Sequence, residues 1–159
     1  DVVMTLAANW DKHGDIVETN FLNCNIQDIY HEIAYIIEDS EHFICLASYS
    51  FRSVSKLPLI RKAIVNAANR GISVNLIYNK DQQTSAEETD KMIKDAPGIN
   101  ALAIPKNHAK FLLTDKDGFV FTANIDGEAG LLSGFELGVY LNERQYEQAK
   151  EGINVLASL

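Results

Sequence analysis

The sequence holds only two cysteines in 159 residues, Cys24 and Cys45. That is too few for a disulfide-stapled scaffold. Cys45 lies inside the apolar run HFICLASY, where a buried free thiol is the usual state. No apolar run reaches membrane-spanning length, and no signal-peptide pattern is present. The reading therefore favours a soluble, cytoplasmic protein. The first residue is Asp1, which fits a mature chain, a trimmed one or a piece of something longer. Basic residues are also scarce: 14 Lys and Arg stand against 22 Asp and Glu, for a net charge of −8. That balance argues against a broad nucleic-acid-binding surface and leaves room for a small local basic site. There is no internal repeat, no low-complexity tract and no linker, so residues 1–159 read as a single domain.

What is present is a chain with 47% hydrophobic residues, enough to build a core. Residues 2–7 and 16–22 read as strands, with the turn signal DKHGD between them. Ile26, Ile29, Tyr30, Ile33, Ala34 and Ile37 then recur at helical spacing over 26–39, behind Asn25 as N-cap. HFICLASYS is a strand-length run that suits burial on both faces. A helix over 57–70 has Pro58 in its first turn and Gly71 just past its end. Strands follow at 72–79, 99–104, 108–114, 118–123 and 135–141. A helix over 86–95 is expected behind Ser85 as cap, and a last one over 143–157. The pattern is α/β: a mixed, partly parallel β-sheet flanked by helices on both faces.

Residues 107–124, NHAKFLLTDKDGFVFTAN, hold the chemistry. Side chains alternate across a strand, so His108 and Lys110 are expected on one face and Phe111 and Leu113 on the other. Thr122 and Asn124 share a parity on the next strand, with Phe121 and Ala123 turned away. A short DKDG turn lets the two pairs converge, while Asp115 has the opposite parity to Lys110. Glu136, the single charge in GFELGVYL, needs a partner if buried. An imidazole N–H would serve and would leave the other ring nitrogen free to attack. Lysine and asparagine donate to phosphoryl oxygens, and a histidine acts as nucleophile or general acid. The four histidines, His13, His31, His42 and His108, show no metal-ligand spacing, and the set calls for no cofactor.

His108-x-Lys110-x4-Asp115, followed by Thr122-Ala123-Asn124 and Phe135-Glu136, resembles the HKD motif of the phospholipase D superfamily. The upstream stretch from ICLASYSF to ISVNLIYN is similar to that family's first strand–helix–strand unit. There are two departures. Phe121 stands where the family has glycine, and the interval from Asp115 to Asn124 is one residue shorter than usual.

The resemblance implies a metal-free phosphodiesterase. One HKD histidine attacks phosphorus to give a phosphohistidine, and a second protonates the leaving oxygen. With one motif in this chain, the second histidine would come from a homodimer partner or from an HKD half outside this chain. His108, Lys110 and Glu136 would be catalytic; Lys110, Thr122 and Asn124 would bind the substrate phosphate; Asp115 reads as structural. The substrate expected first is nucleic acid, with phospholipid hydrolysis or phosphatidyl transfer second and a non-catalytic phosphate-binding module third. Ser48, Tyr49 and Ser50 end a strand where α/β sheets place ligands, and they are expected near the cleft.

Overall fold

Isoleucines build the first helix. Ile29, Ile33, Ile36 and Ile37 are all buried along one stripe of α1 (Ile26–Asp39). The computed structural model describes residues 21–22, 26–133 and 136–157. Asn25, the segment 2–20 with Trp10 and His13, Cys24 and Phe135 lie outside the described residues.

The strands are β1 (Phe21–Leu22), β2 (Phe43–Ala47), β3 (Ser73–Asn79), β4 (Ile99–Ile104), β5 (Phe111–Thr114), β6 (Gly118–Phe121) and β7 (Gly138–Tyr140). The remaining helices are α2 (Pro58–Asn69), α3 (Gln83–Asp95) and α4 (Glu143–Ala157). All strands join one sheet in the order β1-β7-β6-β5-β2-β3-β4. β3 pairs parallel with both β2 and β4, and the other pairs are antiparallel. This is the mixed, partly parallel α/β sheet that the sequence implies.

Helices cover both faces. On one, Ile44, Leu46, Leu76, Leu112 and Phe119 pack with Ile33 and Ile37 of α1, Ile60 and Ile64 of α2 and Met92 of α3. On the other, Cys45, Ala47, Ile77 and Leu113 meet Tyr146, Ala149 and Ile153 of α4. Burial pushes the Cys45 thiol up to about 11, so it stays protonated and inert. Truncating a fully buried isoleucine such as Ile33 to alanine would cost about 2–5 kcal/mol.

Several element ends differ from expectation, and at some of them short polar side chains bond backbone groups. β2 stops at Ala47 rather than Ser50; the Ser48 N–H and the Tyr49 carbonyl still bond β3, while the Ser48 hydroxyl donates to the Ser50 carbonyl at 2.7 Å. β5 starts at Phe111 rather than 108, behind a segment held by the Asn107 side chain. β6 ends at Phe121 and β7 begins at Gly138. Helix α3 starts at Gln83, so Ser85 is not its cap. Ser85 is buried in the first turn, and its hydroxyl accepts the Phe51 N–H at 2.9 Å.

Candidate active site

The parallel strands β2, β3 and β4 all end at one edge of the sheet, and β5 starts there. Ser48–Ser50, Asn79–Lys80 and residues 105–110 therefore meet where α/β sheets form ligand crevices. His108 is exposed there, just before β5. Lys110 is half-buried. Its carbonyl accepts the Phe121 N–H at 3.2 Å, which fixes its backbone against β6. Its Nζ lies 3.3 Å from Nδ1 of His108 and donates to the His108 carbonyl at 3.1 Å. The Tyr49 ring packs on the imidazole with centroids 5.4 Å apart, and Gln82 donates to the Tyr49 hydroxyl at 2.9 Å.

Thr122, Asn124 and Glu136 arrive from the far side of the hairpin. The Thr122 N–H donates to the Leu137 carbonyl and its Oγ1 accepts the Leu137 N–H, both at 2.9 Å. The Thr122 hydroxyl donates to the Glu136 carboxylate. Glu136 thus has Thr122 as its hydrogen-bond partner among the described residues, where the sequence reading gave it His108. Its charge still reaches the site. Burial lowers the pKa of Lys110, and the Glu136 carboxylate acts in the opposite direction. Asn124 is half-buried, and its Oδ1 is buried with no hydrogen-bond partner among the described residues. Gly130 holds a positive φ of 48° against the Asn124 backbone, where any Cβ would collide with the Asn124 carbonyl. Phe121 turns into the core and stacks on Phe119, 5.7 Å between centroids, so it leaves the cleft open.

Asp115 lies at the opposite end of β5 from His108. Its Oδ1 accepts the backbone N–H groups of Glu41, His42 and Phe43 at 3.1, 2.9 and 3.3 Å. Burial pushes this carboxyl up, and those N–H groups more than reverse it, leaving it below its ordinary value. Glu41, His42 and Asp115 are also the one group of potential metal ligands among the described residues. It is remote along β5 from His108, and the Asp115 Oδ1 is already taken by backbone amides.

Sequence reasoning missed Asn107 and Asn79. Asn79 is buried, and its Nδ2 donates to the Asn107 carbonyl at 3.0 Å. Asn107 Nδ2 donates to the Ser48 carbonyl at 2.9 Å, and its Oδ1 accepts the Ala109 N–H at 3.2 Å. The Ser48 hydroxyl accepts the Ile125 N–H at 3.0 Å. The available signal was two asparagines at the ends of apolar runs, which reads equally well as turn chemistry.

No family model matches the chain, and no curated protein matches it in sequence. Solved structures match it in fold. NucT from Helicobacter pylori superposes with a TM-score of 0.71 at 17% identity, over 89% of this chain and 96% of that one. Nuc from Salmonella typhimurium, described as a phospholipase D family member, gives 0.65 at 17% identity, over 89% and 91%. TrmBL2, an archaeal chromatin protein described as showing a novel mode of DNA binding, gives 0.61 at 16% identity, over 99% of this chain and 58% of that one.

Proposed function

From a chain whose fold is that of the phospholipase D superfamily, we propose a phosphodiesterase that cleaves nucleic-acid phosphodiesters through a phosphohistidine. The observation that carries the proposal is Lys110 Nζ beside the His108 imidazole, on a segment whose Asn107 is bonded to Ser48, which in turn holds the Ile125 N–H next to Asn124. A ring nitrogen of His108 attacks phosphorus. The P–N bond forms as the P–O bond to the leaving alkoxide breaks. A second histidine, from another copy of this chain or from another HKD segment, protonates that oxygen. Water then displaces the imidazole, releasing the phosphate monoester. Lys110 balances the growing charge on the phosphoryl oxygens, and the Asn124 carboxamide fixes their direction. Glu136 keeps a negative charge near Lys110 and so favours its ammonium form.

Two exposed lysines beside the site support the nucleic-acid reading. Lys56, Lys91 and Lys116 are paired with carboxylates elsewhere on the molecule. Lys80 and Lys106 are exposed at the ends of β3 and β4 beside the site and have no carboxylate partner among the described residues. They would follow a phosphate backbone leading to His108. The DNA-binding description of TrmBL2 supports the same class of ligand and keeps a non-catalytic reading in view.

The test is incubation with a single-stranded oligonucleotide, a phosphatidylcholine vesicle and an activated aryl phosphodiester, each with and without EDTA. Cleavage of the oligonucleotide and the aryl diester, unchanged by EDTA, is expected. A denaturing alkaline quench should trap an adduct on His108 that is base-stable and is lost on acidification. Cleavage of the vesicle lipid alone would favour the phospholipid reading. Binding of the oligonucleotide without turnover of any substrate would favour the non-catalytic module.

A further inference from the structure

His108 is exposed, outside any strand, yet the proposed chemistry needs its ring held still. The residue before it supplies the restraint. Asn107 is bonded through every polar group it has. Its N–H donates to the Ile104 carbonyl at 3.3 Å, and its carbonyl accepts from Asn79 Nδ2 at 3.0 Å. Its Nδ2 donates to the Ser48 carbonyl at 2.9 Å, and its Oδ1 accepts the Ala109 N–H at 3.2 Å. The side chain therefore bridges across His108 to the residue beyond it. The preceding residue, Lys106, sits at φ 58°, a left-handed conformation that a non-glycine residue adopts only when its surroundings hold it. On the other side, Ser48 joins this segment to the second half of the site, because its hydroxyl accepts the Ile125 N–H beside Asn124.

We infer that Asn107 is a positioning residue: with Asn79 and Ser48 it forms a frame that fixes His108 relative to Asn124. The inference rests on His108 being the reacting group. Only a carboxamide at 107 serves both ends of the frame. An aspartate would retain the acceptor for Ala109 and turn an anionic oxygen toward the Ser48 carbonyl, and alanine would lose both bonds. Asn79 has the matching role from β3, anchored by its own Oδ1, which accepts the Asp81 N–H at 2.9 Å.

The experiment compares Asn107→Ala and Asn107→Asp with Asn100→Ala. Asn100 is a control remote from the site: on β4 it donates an exposed side-chain bond to Asn75 of β3 at 3.0 Å, at the other end of those strands. On an aryl phosphodiester, both Asn107 variants should lose about 100-fold in kcat, the scale of a misplaced reacting group, with little change in KM. Asn100→Ala should keep wild-type kcat. A kcat unchanged in Asn107→Ala, or lost equally in Asn100→Ala, would overturn the inference. A second readout needs no turnover. Titration of wild type with inorganic phosphate should shift the His108 ring and Asn124 side-chain NMR signals together. In Asn107→Ala the two should shift at different concentrations, and a preserved joint shift would overturn the frame. A wild type inactive on every diester would remove the proposed enzymatic function and leave this titration to decide the frame.

Discussion

Nζ of Lys110 stands 3.3 Å from Nδ1 of His108, within hydrogen-bond reach of a ring that has no other polar partner among the described residues. A phosphate entering the site would compete for that ammonium group. Lys110→Met keeps the stem and removes the charge, so kcat on an aryl phosphodiester should fall about 100- to 1,000-fold. His108→Asn should leave no turnover and an unchanged circular dichroism spectrum, because the side chain is exposed. Retention of a tenth of the activity by either variant would remove that residue from the chemistry.

Burial lowers the Lys110 pKa and Glu136 partly offsets the effect. Only the protonated lysine can balance phosphoryl charge. The alkaline limb of kcat/KM should therefore lie below the ordinary lysine value of about 10.4. Glu136→Gln removes the anion that raises this pKa, so the limb should move to still lower pH. A limb that stays in place or moves up would show that the carboxylate does not act through Lys110.

Asp115 binds backbone rather than substrate groups, and its effect should appear in stability. Asp115→Ala should cost about 1 kcal/mol at neutral pH, below the roughly 1.5–3 kcal/mol of bonds to a charged group because the site is partly exposed to water. The native pKa is depressed, so this stabilisation is complete above the unfolded-state value and is lost as pH falls through the native one. Urea unfolding at several pH values should show the two proteins converging in acid. A difference that persists at the lowest pH would point to packing instead.

If two copies share one site, subunit mixing will reveal it. Wild type mixed with excess His108→Asn should lose specific activity per wild-type chain, as heterodimers hold one histidine where the chemistry uses two. Sedimentation of the wild type as a monomer, with activity indifferent to mixing, would exclude the shared site for this chain.

Lys80→Gln with Lys106→Gln should weaken oligonucleotide binding and flatten its salt dependence. Two lost phosphate contacts correspond to a slope change of about 1.8 for duplex and about 1.4 for single strands. Turnover of a small aryl diester should be nearly unchanged. An unaltered slope would place the nucleic-acid path elsewhere.

The sequence by itself determined the alternation of apolar runs with helical stripes, and hence the α/β class. It also determined which residue types stand ready for phosphate, because His108, Lys110, Thr122 and Asn124 carry their chemistry wherever they lie. Phe121 and Ala123 were legible as core by parity, and both are buried. Strand parity did not extend to His108, since β5 begins only at Phe111. What places that histidine is a set of bonds from residues distant in the chain: Ser48 lies 59 positions from Asn107, and Ile125 lies 77 from Ser48. The partner of Glu136 was likewise decided in three dimensions, because the β6–β7 pairing brings Thr122 against Leu137 and next to that carboxylate. Periodicity reports which face of an element is apolar, whereas a polar contact between loops depends on how the sheet aligns their ends. That alignment is fixed by packing of the whole core and has no local signature.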